Sequence, residues 1–138
     1  DPGLFKKRFK SGDSCVVAIN EAQMIVGYEW FSYKGVHVEE RLGYHVTIPQ
    51  DSVYVFDCFI KPEFRSRGIW VLFKKYIQEQ AGELGRERIT TMIYQGNDVS
   101  LKAHLRYGFV ISRSVTCIRV IHKWIFREKD FATDIHIA

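Results

Sequence analysis

The sequence predicts an α/β fold in which a mixed β-sheet is flanked by helices, and three observations carry that expectation. An almost continuous apolar run, Ser52–Ile60, reads as a buried central strand. Residues from Ile69 to Leu84 then follow helical periodicity, and the β-rich run Arg88–Tyr94 comes next. Strand, helix and strand in that order normally place the two strands parallel, while the earlier runs are close enough together to form an antiparallel hairpin.

Taken in order, Cys15–Ile19 and Met24–Phe31 are the hairpin strands, separated by Asn20-Glu21-Ala22-Gln23. From Ser32 to Ile48 the pattern weakens, and Pro49-Gln50-Asp51 marks a turn into the central strand. The helix shows Ile69, Leu72, Phe73, Tyr76, Ile77, Ala81 and Leu84 on its apolar side, with Lys74, Lys75, Gln78 and Glu79 expected on the other. Gly85 ends it. Asn97 or Asp98 caps a short second helix through His104 and Arg106, which Gly108 stops. Phe109–Val120 and Ile121–Phe126 read as two closing strands.

A chain of 138 residues with 46% hydrophobic and 26% charged residues is expected to fold as one domain spanning residues 1–138 around a core of its own. No apolar stretch approaches the roughly 20 residues of a membrane helix, and the opening Asp1-Pro2-Gly3-Leu4-Phe5-Lys6-Lys7-Arg8 lacks the order of a signal peptide. Cys15, Cys58 and Cys117 are odd in number, widely spaced and set among apolar neighbours, so reduced core thiols, no metal site and a cytoplasmic location are expected. A formal net charge of +4 favours an anionic ligand, but the basic residues are scattered among acidic ones, which does not indicate nucleic acid.

The turn Arg65-Ser66-Arg67-Gly68-Ile69 joins the buried strand to the helix, gathering unpaired backbone N–H groups at the positive end of a helix dipole. Such a turn binds phosphate, although a plain loop that begins a helix has the same outline. The spacing Ile60-x-Pro62-x-x-Arg65-x-x-Gly68 resembles the acetyl-CoA signature of the GNAT superfamily of N-acetyltransferases. Asn97-x-x-Ser100 with Gly108-Phe109 resembles a later helix motif of that superfamily, and together the two blocks cover about Val53 to Val110.

That resemblance implies a sheet that splays open between the central strand and the strand after the long helix. Acetyl-CoA would be the donor, its pantetheine arm pairing with the backbone of Cys58, Phe59 and Ile60, and its pyrophosphate lying on amides of Arg65, Ser66, Arg67, Gly68, Ile69 and Trp70. Asn97 and Ser100 would complete the cofactor site, and a backbone N–H near Phe59 or Ile60 would stabilise the oxyanion. Two positions depart from the pattern. Trp70 stands where the family has Gly or Ala, so its indole either crowds the cradle or turns along the helix. His104 stands where many members have the tyrosine that protonates the thiolate; it is the candidate acid, against a reading as a packing residue.

An alkyl amine with a pKa of about 10.4 must lose a proton before it attacks, so a base is needed. Asp57, the acidic residue of the central strand, is the expected base, with burial tuning it, against a structural reading in which it caps or pairs with a basic side chain; Glu29 is the reserve. A thiol of pKa about 8.5 leaves with little help, so His104 is dispensable. The acceptor is expected to be a small-molecule amine, its pocket set by Ser32–Gln50 and nearby Trp30, Tyr33, His37 and His45. Similar domains begin with a further strand and helices where only Leu4–Lys10 stands here, which implies a shortened N-terminal region and a sheet edge suited to homodimer pairing. The alternative is a non-catalytic domain of the same fold that senses acyl-CoA or binds a partner.

Overall fold

The structure, a computed structural model, describes residues 2–131. Its elements are α1 (Pro2–Lys10), β1 (Ser14–Ile19), β2 (Ile25–Ser32), β3 (Val36–Glu39), β4 (Tyr44–Thr47), β5 (Ser52–Ile60), α2 (Ile69–Glu83), β6 (Arg88–Thr90), α3 (Asp98–Tyr107), β7 (Arg113–Val120) and β8 (Lys123–Asp130). They fall into two compact units, one of residues 2–39 and 45–92 and the other of 40–44 and 93–131.

The first unit is organised by a sheet of order β1-β2-β5-β6. β1 pairs with β2 and β2 with β5, both antiparallel, and β5 pairs parallel with β6. The expected hairpin, interior strand and parallel crossover are thus present. Successive side chains of a strand point to opposite faces, and β2 uses this to serve two helices. Phe31 joins Val53, Val55, Ile77 and Ala81 in the core beneath α2. Trp30 lies on the other face against Phe5 and Phe9 of α1, with ring centroids 5.4 and 4.8 Å apart.

Several expectations shift. The leading residues fold as α1, because Phe5 and Phe9 lie one turn apart and share Trp30 as a partner. Ser32–Ile48 contains the β3–β4 hairpin, which alternation in the sequence did not reveal. β5 is buried only from Ser52 to Val55, whereas Asp57, Cys58 and Phe59 are exposed, so Cys58 is not a core thiol. All three cysteines are free. β6 stops at Thr90 rather than Tyr94. Lys74, expected on the solvent side of α2, is fully buried.

Arg86, just past the left-handed Gly85 that ends α2, reaches back to fasten two strand ends. Its guanidinium donates to the carbonyls of Ser52 at 2.5 Å and Tyr33 at 2.8 Å. Removing a charged donor shared by two carbonyls costs about 2 kcal/mol. Arg86→Ala is therefore expected to lower the urea midpoint while leaving the slope unchanged.

In the second unit the Asn97 side chain caps α3 and Gly108, at φ 109°, ends it, as the sequence predicts. β7 and β8 form an antiparallel hairpin. The expected break after Val120 holds, but Ile121-His122 is the turn, with Ile121 at φ 55°, so the second strand runs from Lys123 to Asp130. The first begins only at Arg113 rather than Phe109. Among the described residues no helix is long and apolar enough to cross a membrane.

Candidate active site

The site begins where β5 loses one neighbour. Its ladder with β2 continues to Gly27↔Ile60, but its ladder with β6 ends at Tyr54↔Thr90. Beyond Tyr54 the sheet splays, and the β5 backbone on the β6 side faces a gap.

A β-bulge sits at that gap. Glu29 pairs with Cys58 and Trp30 with Phe56, leaving Asp57 as the extra residue, at φ 46°. A bulge re-aims the side chain it carries. Asp57 here forms an ion pair with Arg8 of α1. The Arg8 guanidinium lies 5.2 Å from the Trp30 ring and 5.1 Å from the Phe56 ring, so it is held by one carboxylate and two aromatic faces. His37 extends the aromatic wall, 4.2 Å from Phe56 and 4.8 Å from Tyr54. The expectation that Asp57 is buried is corrected: its side chain is 37% exposed and it is paired with a cation. A continuous apolar run hides this, because only the bulge turns Asp57 out of the regular alternation.

Cys58, Phe59 and Ile60 follow the bulge and form the edge of the gap. Across the ladder Gly27 leaves room for them: a Cβ there would meet the Phe59 carbonyl oxygen at 3.0 Å and Ile60 Cγ1 at 3.2 Å. Gly27→Val is expected to push this end of β5 away, seen as loss of hydrogen-exchange protection confined to Cys58–Ile60 and the facing part of β2.

The turn after β5 has the predicted form. A single 3₁₀ turn, Pro62–Phe64, leads to Ser66 at φ 58° and Gly68 at φ 79°, which opens α2 without a side-chain cap. The first backbone N–H groups of α2 therefore project from its end, since a helix offers them no internal acceptors. A Cβ at Gly68 would meet nothing within 4 Å, so the space over the turn is open. Trp70 does not fill it: the indole lies along the helix with Lys74 Nζ 4.9 Å from its ring. Arg65 Nε donates to the Ile60 carbonyl at 3.0 Å, bracing the turn against β5, and Arg67 lies 5.4 Å from the Phe64 ring.

Glu29 is on the opposite face from Asp57. It is 2% exposed, ion-paired with the buried Lys74, and its Oε2 has no hydrogen-bond partner. Burial pushes its pKa up, and the Lys74 ammonium opposes this without cancelling it. Enclosed between the sheet and α2, Glu29 is poorly placed to serve as the reserve base.

Asn97, Ser100 and His104 belong to the second unit. Asn97 Oδ1 accepts from the Ser100 backbone N–H at 3.3 Å. His104 is buried, its Nδ1 lies 2.8 Å from the Ser100 carbonyl, and its ring meets Phe109 edge-on at 4.9 Å. A carbonyl accepts only, so Nδ1 carries the proton. These contacts fit the packing reading of His104. The residue sequence reasoning missed is Arg8; its one signal was its place between Phe5 and Phe9.

No family model and no curated protein matches the chain. Solved structures do. One is AAC(6')-Iy in complex with the bisubstrate analogue CoA-S-monomethyl-acetylneamine: TM-score 0.68, 19% identity, 86% of this chain and 77% of that one covered. The same aminoglycoside N-acetyltransferase in complex with CoA gives TM-score 0.66 at 19% identity, covering 86% and 89%. The aminoglycoside antibiotic 6'-N-acetyltransferase AAC(6')-Ih from Acinetobacter baumannii gives 0.61 at 15% identity, covering 88% and 78%. The fold of this chain is that of the GNAT N-acetyltransferases, a mixed splayed sheet flanked by helices.

Proposed function

We propose that this chain is an N-acetyltransferase that moves an acetyl group from acetyl-CoA to a small-molecule amine by direct transfer. The observation that carries the reading is the continuity of the β5 edge, open beyond Tyr54, with the uncapped start of α2 behind a left-handed Gly68. The pantetheine arm would pair with Cys58, Phe59 and Ile60 in the gap, and the pyrophosphate would take the amides of Ser66–Trp70, where backbone donors and the helix dipole favour negative charge; the Arg65 amide, expected to join them, instead donates to the Pro62 carbonyl at 3.2 Å and closes the 3₁₀ turn. Asn97 and Ser100 are the proposed further contacts to the donor, and His104 the proposed, dispensable proton source for the thiolate.

At the reacting end, Asp57 takes the proton of the acceptor ammonium, directly or through water. The freed amine attacks the thioester carbonyl, a backbone N–H near Phe59 or Ile60 steadies the oxyanion, and collapse expels the CoA thiolate, which takes up the proton the nitrogen sheds in becoming the amide. The outer edge of β1 is the proposed contact for a second copy, since an unpaired edge favours strand addition.

Calorimetry with acetyl-CoA tests the reading. Saturable binding is expected, with CoA preferred over ADP. Gly68→Val, which places a β-branched residue at a left-handed position beside the cradle, is expected to weaken binding at least tenfold. Absence of acetyl-CoA binding by the native chain would remove the transferase reading.

A further inference from the structure

Arg8 lies against Asp57, the carboxylate proposed as the base. Its guanidinium is enclosed by the Trp30 and Phe56 rings and paired with Asp57, and the residue is only 6% exposed. Asp57 directly precedes the Cys58–Ile60 edge of the splayed gap and is aimed away from the core by the bulge. A carboxylate with two aromatic faces is a receptor for an organic cation. We infer that this receptor is the acceptor site, that it takes the ammonium of a primary amine borne on a slim alkyl chain, and that Arg8 occupies it in the resting protein as an internal mimic of that acceptor. The inference rests on the transferase reading and adds the acceptor class to it.

The shape of what Arg8 fills sets that class. An arginine reaches its place through an unbranched methylene stem, here from a helix whose Phe5 and Phe9 crowd Trp30. Displacing the guanidinium leaves the Asp57 carboxylate and the Trp30 and Phe56 faces to an incoming cation, an enclosure suited to an ammonium on an unbranched stem rather than to an amine set directly on a sugar ring. Once the ammonium has replaced the guanidinium, Asp57 receives its proton, and the neutral nitrogen attacks the acetyl carbonyl. The N–C bond forms, the C–S bond breaks, and sulfur leaves as the thiolate with its electron pair, then takes up the second proton that the nitrogen sheds in becoming the amide. Arg8 then both excludes water from the empty site and competes with the substrate.

The test uses the full chain, with Arg8→Ala to empty the receptor. Calorimetry with ethylguanidinium is expected to show saturable binding to Arg8→Ala at least tenfold tighter than to the native chain, no binding of neutral ethylurea, and loss of binding when Asp57→Asn is added. In the acetyl-transfer assay, n-butylamine is expected to be a better acceptor than glucosamine. Ethylguanidinium should compete with n-butylamine but not with acetyl-CoA, and the KM for n-butylamine should fall about tenfold in Arg8→Ala with a smaller change in kcat. A purely structural Arg8 predicts the reverse, a raised KM or lowered kcat for every amine. Equal responses to ethylurea and ethylguanidinium, or indifference to Asp57→Asn, overturn the inference. Should Arg8→Ala fail to fold, Arg8→Gln replaces it under the same criteria, and the inhibition pattern of the native chain is judged without any variant. The two readings fail separately: acetyl-CoA binding without cation binding removes this inference alone, while cation binding without acetyl-CoA binding removes the transferase.

Discussion

Lys74→Met is expected to cost the fold about 3–5 kcal/mol, because it leaves the Glu29 carboxylate buried with no counter-charge. Lys74 and Glu29 are both sealed between β2 and α2, and Glu29 Oε2 already lacks a partner. The damage is thus the stranded charge more than the lost attraction, and Glu29→Gln with Lys74→Met should recover most of the loss. The pH dependence has a definite sign. Burial raises the Glu29 pKa above its unfolded value, so the native state holds this proton more tightly than the unfolded chain. The carboxyl's contribution is then fully present below the unfolded pKa and is lost as pH climbs through the folded one. With the opposing ammonium gone, Lys74→Met should lose stability more steeply over that rise than the native chain. Urea melts between pH 4 and pH 8, a window set by the usual carboxylate pKa of about 4.3, read the difference. Equal midpoint losses at both ends would contradict it.

Asp57→Asn is expected to lower kcat/KM for an amine acceptor by about 10²–10⁴-fold, the usual range for loss of a general base. Acetyl-CoA affinity should be nearly unchanged, because the proposed donor contacts, the backbone groups of Cys58–Ile60 and Ser66–Trp70 together with Asn97 and Ser100, are left in place by the substitution. Asparagine keeps the size of the side chain and the bulge that positions it, so circular dichroism and the melting midpoint report whether the fold is intact. If acetyl-CoA binding collapses along with turnover, Asp57 is supporting the bulge rather than handling a proton. If turnover persists at the native rate, the base is elsewhere.

Much of the fold was legible because local signals and tertiary packing agree in it. Of the predicted apolar side of α2, Phe73, Ile77 and Ala81 are buried, while Leu72, Tyr76 and Leu84 at its margins are exposed, and the Gly85 and Gly108 stops both lie where the chain must leave a helix. The turn from Arg65 to Gly68 was legible for the same reason: its spacing and its glycine are fixed by backbone geometry, which the sequence expresses directly. The β3–β4 hairpin and α1 were not. Four-residue strands give too few alternations to register, and four of the nine residues of Pro2–Lys10 are basic, its helical state resting on two phenylalanines whose partner, Trp30, lies twenty residues or more along the chain.

Lys74 shows the limit from the other direction. On the helical pattern it falls on the polar side, and only its approach to Glu29, 45 residues away, reveals that this side is also covered. By itself the sequence determined the succession of β1, β2, β5, α2, β6 and α3, the parallel crossover and the form of the turn, since each follows from periodicity and from residues that restrict their own backbone. The tertiary structure alone decided that the expected splay begins after Tyr54, that a bulge swings Asp57 towards Arg8, and that Trp70 lies along α2 away from the open turn. Those three outcomes depend on which distant side chains compete for the same space, and no local pattern records that competition.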